Sequence, residues 1–195
     1  MARKTAEENR RHILSVASGL YYARGIRAVG MDLVVKESGV GNATVYRQFP
    51  TKNALAGAYT QERADAWFAR MRESAGRAGD ARGQLLAIFA GVVDEITAPG
   101  FRGCPMHNAH TEFPDPDHPA HQVAVTHERR VRDWMRDLAG EAGAPDPGRL
   151  ADELVLVLNG VYATAATLGP EGPARHTLDF VDRLVRAACE APGRA

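Results

Sequence analysis

Apolar residues recur at intervals of three and four along almost the whole chain, which is the spacing of an amphipathic α-helix. No stretch alternates between apolar and polar residues for long enough to predict a β-strand. The pattern therefore predicts an all-α protein of about nine helices. Glycines and prolines interrupt the pattern and place the helices at about residues 5–25, 31–38, 42–49, 51–76, 80–98, within 101–119, 120–142, 147–168 and 173–191.

Residues that favour helix ends support several of these bounds. Thr5 followed by Glu8 matches a capping box at the start of the first helix, and Gly25 supplies its end. Thr51 can cap the fourth helix in the same way. We expect residues 1–55 to form a small N-terminal domain and residues 56–195 a larger helical domain.

Residues 31–49 have the form of a helix-turn-helix, since two helices of about two turns are joined by Ser38-Gly39-Val40-Gly41. The second helix would fit the major groove of B-DNA, which is about 12 Å wide. An ordinary helical hairpin with a solvated face would show the same pattern. The side chains expected to pack inward are Val34, Val35, Val40, Val45 and Phe49.

Charge is divided unevenly along the chain, although the formal net charge of the 195 residues is zero. Residues 1–60 carry nine basic and four acidic side chains, so the rest of the chain has a net charge of −5. A basic domain suggests a polyanionic partner. Chance clustering of solvated side chains would give the same imbalance.

Composition limits the class of protein further. With 45% hydrophobic and 25% charged residues, the chain can bury a core and is not a disordered polymer. Cys104 and Cys189 are too few for a disulfide scaffold, so we expect reduced thiols. The longest apolar run, residues 85–93, is far shorter than a membrane span. The first residues lack the apolar core of a secretory signal, and we expect a cytoplasmic protein.

The run from Gly39 to Leu55, GVGNATVYRQFPTKNAL, resembles the DNA-binding domain of the tetracycline-repressor (TetR) family. The resemblance covers about residues 8–58 and includes Gly-Val, Thr-Val-Tyr and Phe-x-x-Lys-x-x-Leu at the family's spacing. It implies phosphate contacts from Thr44, Tyr46, Gln48 and Lys52, and an approach to bases by Asn42 and Ala43. With Arg27 and Arg47, these are the DNA-binding residues that we predict.

The chain departs from the family pattern at three places. Gly30 stands where Ser or Thr usually opens the first helix of the motif, so a capping hydroxyl is missing. Val34-Val35 replaces Ile-Ala, and Gln48 replaces a common His or Tyr. These changes affect local packing and hydrogen bonding and leave the motif in place.

The resemblance also implies a homodimer that binds a roughly palindromic operator in double-stranded DNA. Its C-terminal domain would bind an unknown small-molecule effector that lowers DNA affinity. We expect no cofactor and no membrane partner. We also expect no enzymatic activity, because glycine-rich phosphate loops, Gly-x-Ser-x-Gly and His-Glu-x-x-His are missing from the sequence.

The last two long helices are candidates for the dimer interface. Residues 154–158 are apolar on all sides of the helix, and small residues follow them, so this helix can contact both its own core and a second subunit. Burial within a single chain would explain the same composition. The predicted interface residues are Leu154, Leu158, Val161, Ala165, Leu178, Val181 and Val185.

An effector pocket needs apolar walls with a few polar groups. The residues that we predict to line it are Trp67, Met71, Phe89, Met106, His107, Phe113, Trp134, Asn159 and Tyr162. For each of them, core packing is the alternative role.

The segment containing Cys104, His107 and His110 allows a different reading. Its Cys-x2-His-x2-His spacing offers ligands that suit Zn²⁺ or another transition metal. The alternative function is therefore a metal-dependent hydrolase or a metal-sensing regulator. The spacing matches no established zinc signature, and a redox role of Cys104 is equally open.

Overall fold

The structure is a computed structural model that describes residues 5–190. Within that range it contains nine α-helices, one 3₁₀ helix and no β-strand, which confirms the all-α prediction. The α-helices are α1 (Ala6–Arg24), α2 (Met31–Ser38), α3 (Asn42–Gln48), α4 (Lys52–Ala75), α5 (Ala81–Thr97), α6 (Pro105–Glu112), α7 (Pro119–Glu141), α8 (Pro147–Leu168) and α9 (Thr177–Glu190).

Local capping explains why these bounds lie close to the predicted ones. Thr5 Oγ1 accepts a hydrogen bond from the Glu8 amide at 3.1 Å, and Glu8 Oε2 accepts one from the Thr5 amide at 2.6 Å, which confirms the capping box. Thr51 Oγ1 accepts from the Ala54 amide at 3.0 Å at the start of α4. The final helix differs from its prediction, because residues 173–176 form a 3₁₀ helix before α9. Its predicted end, Ala191, lies outside the described residues.

The described chain forms two compact units. The first contains residues 5–65 and 105–126, and the second contains residues 66–104 and 127–190. In this grouping the first part of α4, α6 and the start of α7 pack with the helix-turn-helix, and the domain boundary after residue 55 stays a prediction. The physical reason is burial: Ala109 of α6 and Ala120 of α7 are part of the first unit's hydrophobic core.

In the first unit, α1 packs against both α2 and α3. Ile13, Ala17 and Tyr21 of α1 are buried, and the Tyr21 ring meets the Tyr59 ring edge-on at 5.5 Å. The start of α7 comes close to α4 at Gly57, where an added Cβ would lie 2.7 Å from Cβ of Pro119. A glycine is therefore required at this crossing.

The second unit is built mainly from α5, α8 and α9, each of which packs against the other two. Their buried side chains include Leu85, Phe89, Leu154, Leu158 and Val185. Across residues 5–190, none of the helices is both long enough and apolar enough to cross a membrane.

Candidate nucleic-acid interface

The turn between α2 and α3 depends on one glycine. Gly39 has φ 63° and ψ 11°, in the left-handed region where a Cβ is unfavourable. Ser38 is buried next to it, and its hydroxyl accepts a hydrogen bond from the Val40 amide at 3.3 Å. These contacts reverse the chain within three residues and set the direction of α3.

Helix α3 has one buried face and one exposed face. Val45 and the following Phe49 are buried against α1 and α2, whereas Tyr46 is 40% exposed. Among the other predicted DNA-binding residues of this helix, Asn42, Ala43 and Arg47 are exposed, and Thr44 and Gln48 are half-buried. An amide, a phenol and a guanidinium therefore face solvent on a helix of the right size for a major groove.

Two side chains of α1 hold the C-terminal ends of the motif's helices. Arg10 Nη1 donates to the carbonyl oxygen of Gln48 at 2.8 Å, and its guanidinium lies 4.2 Å from the Phe49 ring centroid. His12 Nε2 donates to the carbonyl oxygen of Ser38 at 2.9 Å. Cations and donors are favourable at these positions because helix C-termini carry unpaired carbonyl groups and a partial negative charge. Sequence reasoning missed both contacts.

The N-terminal ends of α2 and α3, unlike their C-terminal ends, have no side-chain cap. They begin after Gly30 and Gly41, and neither residue supplies a side-chain cap. The missing hydroxyl at Gly30 was expected from the sequence. The two helices of the motif thus depend on contacts from α1 rather than on caps at their own starts.

The turn between α1 and α2 contains the predicted DNA-binding residue Arg27, whose side chain is exposed. Lys52 is half-buried, and its Nζ donates to the Arg27 carbonyl oxygen at 2.9 Å. Burial lowers the pKa of Lys52, the Glu112 carboxylate opposes that shift, and the Arg27 charge adds to it. Lys52 therefore stabilises the turn between α1 and α2. Its contact with a DNA phosphate stays a prediction.

The predicted pocket residues fall into both compact units. Met106, His107 and Phe113 belong to the first unit, and the other six belong to the second, namely Trp67, Met71, Phe89, Trp134, Asn159 and Tyr162. The first unit has an open cleft of about 460 Å³ whose lining includes Arg10, Gly57 and Pro119, and none of the nine predicted residues lines it.

Within the second unit, Tyr162 is part of a buried polar chain. Trp67 Nε1 donates to Tyr162 Oη at 2.8 Å, and Tyr162 Oη donates to Glu95 Oε2 at 2.8 Å. Arg70 Nη2 lies 3.2 Å from the same carboxylate oxygen. Burial first, and then the Glu95 charge, raise the pKa of Tyr162 well above its usual value. The hydroxyl therefore stays protonated and donates.

Of the residues of the metal hypothesis, Cys104 belongs to the second unit and His107 and His110 to the first, and within the second unit the Cys104 Sγ lies within 4.8 Å of a Glu128 carboxylate oxygen. In the first unit the rings of His110 and His121 lie 4.6 Å apart. His121 Nδ1 is 2.9 Å from the Phe113 carbonyl oxygen. The His121 side chain thus connects the start of α7 to the residue that follows α6.

The predicted dimer residues mostly point into their own chain. Leu154, Leu158, Val161, Ala165, Val181 and Val185 are buried in the single chain, and only Leu178 among the seven is exposed, at 40%. The other exposed large apolar side chains of α8 and α9 are Leu156, at 73%, Leu168, at 64%, and Phe180, at 48%. The sequence did not indicate which side of the helix faces outward, because a helix with apolar residues on every side has no polar face.

Comparisons with known proteins agree with this geometry. Residues 13–59 match the family described as "Bacterial regulatory proteins, tetR family". A crystal structure of a TetR-family transcriptional regulator from Streptomyces coelicolor has 33% sequence identity and a TM-score of 0.90, covering 94% of this chain and 97% of that chain. A TetR-family regulator from Cytophaga hutchinsonii, at 11% identity, shares the fold with a TM-score of 0.85 over 98% of this chain and all of its own.

The HTH-type transcriptional regulator YjdC of Escherichia coli is 27% identical over 154 residues, which are 77% of this chain and 80% of YjdC. None of these similarities supports the metal-dependent hydrolase or the metal-sensing regulator. The exposed helix of the helix-turn-helix, the match over residues 13–59 and the full-length likeness agree. The chain belongs to the TetR family of DNA-binding transcriptional regulators.

Proposed function

We propose that this protein is a homodimeric cytoplasmic repressor that binds a roughly palindromic operator and is released from it by a small-molecule effector. It acts by binding rather than by catalysis. The observation that carries this proposal is the outward face of α3, where Asn42, Tyr46 and Arg47 are exposed while Val45 and Phe49 anchor the helix from behind.

Two kinds of DNA contact follow from the positions on α3. Asn42 and Ala43 are at the N-terminal end, which a recognition helix directs towards base edges. An asparagine amide can pair with the N6 and N7 atoms of adenine. Tyr46, one turn later, suits a phosphate oxygen, a contact that sets position without reading sequence.

Replacing Tyr46 by Phe is expected to weaken binding to all DNA sequences alike, by about 3- to 10-fold, because one hydrogen bond to phosphate is lost. The slope of affinity against salt concentration should not change, since no charge is removed. Fluorescence anisotropy with operator and unrelated duplexes at several salt concentrations measures both quantities. A loss confined to the operator would instead assign Tyr46 to base recognition.

Selection from a random DNA pool tests the function and the base-reading residue together. The wild-type protein is expected to enrich two inverted half-sites about one helical turn apart. Asn42→Ala is expected to change the preferred base at one position of each half-site, whereas Tyr46→Phe retains the wild-type preference. Failure of the wild-type protein to retain DNA at low ionic strength would refute the proposal, and an unchanged preference in Asn42→Ala would refute the role of Asn42.

The homodimer is supported by an uncharged outward face on residues 154–168 of α8. Leu156, Gly160, Ala163 and Thr167 are all exposed and recur at helical spacing, and residues 154–168 contain no charged side chain. A Cβ added at Gly160 would meet nothing within 4 Å in its own chain. A helical glycine costs about 1 kcal/mol relative to alanine, and close approach of a partner helix would offset that cost.

Helix α9 has a similar outward face. Phe180 and Ala187 are exposed and Leu184 is half-buried, again at spacings of four and three. Two-fold pairing of α8 and α9 would give a four-helix interface in which the same residues meet their own copies. We therefore propose Leu156, Gly160, Ala163, Phe180 and Leu184 as the centre of the interface, together with the exposed Leu178.

The effector is proposed to bind the second unit. The buried chain of Trp67, Tyr162 and Glu95 supplies polar groups within an apolar core, which is the composition of small-molecule sites. For a useful switch, the effector must favour the DNA-free form by about 1 to 3 kcal/mol.

A further inference from the structure

Glu112, the last residue of α6, uses both of its carboxylate oxygens on one backbone segment. Oε1 accepts a hydrogen bond from the Ile26 amide at 3.0 Å, and Oε2 accepts one from the Arg27 amide at 2.6 Å. The partners are 86 and 85 residues away in sequence. Hydrogen bonds to a carboxylate are stronger than those between neutral groups, so this contact fixes two successive peptide groups of the turn between α1 and α2.

Lys52 holds the same segment through the carbonyl group of Arg27. Its Nζ donates to the Arg27 carbonyl oxygen at 2.9 Å. The amide and the carbonyl group of Arg27 are therefore held by two opposite charges from α6 and α4. The local chain permits this because Gly25 has φ 90°, and a Cβ added there would lie 3.5 Å from Glu112 Oε1.

The segment leads directly into the helix-turn-helix. Only three residues separate Arg27 from Met31, the first residue of α2, and Gly30 gives α2 no side-chain cap. The orientation of the Arg27 side chain and of the start of α2 thus depends on a contact made from outside the motif.

We propose that Glu112 is a positioning residue for DNA binding, which holds the turn between α1 and α2 in the conformation that presents Arg27 to a phosphate. The proposal rests on the proposed function, since it takes Arg27 as a DNA contact. It also predicts a change in DNA affinity opposite in sign to the change that charge alone would cause. Removing an acidic side chain near DNA should tighten binding if only charge matters, whereas removing the support of the turn should weaken it.

The test compares Glu112→Gln with Glu37→Gln in the full-length protein. Both variants lose one negative charge in the first unit, but Glu37 lies exposed on α2. Glutamine at position 112 has one acceptor oxygen in place of two. We expect Glu112→Gln to bind the duplex selected by the wild-type protein at least 10-fold more weakly, and Glu37→Gln to bind it equally or more tightly. Affinity equal to or above wild type in Glu112→Gln would overturn the proposal.

Amide hydrogen exchange provides a readout that does not require DNA. In Glu112→Gln the amides of Ile26 and Arg27 should exchange at least 10-fold faster, while the amides of Ile13 and Val45 in the core exchange as in wild type. Unchanged exchange at Ile26 and Arg27 would overturn the proposal even if DNA binding falls. This measurement also separates the two hypotheses, because it remains informative if the wild-type protein selects no DNA and the proposed function fails.

Glu112→Asp covers the case in which the glutamine variant does not fold. It keeps the charge and shortens the side chain by one methylene, so it cannot reach both amides in the observed geometry. Weaker DNA binding with faster exchange at residues 26 and 27 is expected. Wild-type behaviour of Glu112→Asp in both measurements would overturn the proposal.

Discussion

Replacing Leu156 by Asp is expected to convert the proposed dimer into monomers and to weaken operator binding by about 100-fold or more. In the single chain Leu156 is 73% exposed, so the aspartate would be solvated in the monomer and would leave its fold intact. In the proposed dimer the same carboxylate would be buried without a partner, at a cost of about 3 kcal/mol or more. That cost corresponds to a factor of about 100 in an equilibrium constant.

Leu168→Asp provides the matched control. Leu168 is also an exposed leucine of α8, at 64%, but its position is about a third of a turn away from Leu156 around the helix. Analytical ultracentrifugation over a range of concentrations should show monomers for Leu156→Asp and dimers for Leu168→Asp. Dimers in both variants would place the interface on another surface. Monomers in both would show that the effect is not confined to the side of α8 that carries Leu156.

Replacing Arg10 by Ala is expected to lower operator affinity by about 10- to 100-fold without changing the oligomeric state. The substitution removes the charged hydrogen bond to the Gln48 carbonyl and the contact with the Phe49 ring. Such bonds contribute about 1.5 to 3 kcal/mol, and the cation–π contact adds about 0.5 to 1 kcal/mol. Because α3 has only seven residues, it cannot keep its position without tertiary contacts.

Arg11→Ala separates this positional effect from loss of charge. Arg11 is the next residue of α1, is exposed and carries the same charge. Each substitution removes one positive charge from the basic domain, so both should show the same small electrostatic loss. Anisotropy titrations with the operator are expected to show the additional loss only in Arg10→Ala. Equal affinities of the two variants would mean that the Arg10 contacts do not hold the recognition helix.

The parts of the fold that local sequence determines were predictable. Thr5 and Glu8 form their capping box from neighbouring residues, and Gly39 is needed where the chain reverses. Proline and glycine mark most other helix ends, so the helix bounds differ from prediction by only a few residues. The resemblance around Tyr46 identified the family for the same reason, because the motif lies within one short segment.

The outward side of α8 could not be predicted in this way. Leu154, Leu156 and Leu158 are alike in the sequence, and only the packing of α5 and α9 against α8 decides that Leu156 is exposed while its neighbours are buried. An apolar helix contains no periodic signal from which to choose a side.

The contacts that hold the DNA-binding motif were missed because they join distant residues. Arg10 and Gln48 are 38 residues apart, and Glu112 reaches a turn more than 80 residues earlier. Such pairs leave no local pattern, since an arginine or glutamate on a helix is more often solvated. The glycine at position 25 was the nearest signal in the sequence, but it indicated a helix end rather than a distant carboxylate.

The groups that hold α3 in place are separate from the side chains that this helix exposes. The position of α3 is set by Val45 and Phe49, which are buried, and by Arg10, which bonds to the Gln48 carbonyl oxygen at the C-terminal end of the helix. Exchanging Asn42, Ala43 or Arg47 therefore disturbs none of the groups that keep the helix in place. Under the proposed function, substitutions at these positions would rewrite the operator preference while the scaffold stays unchanged.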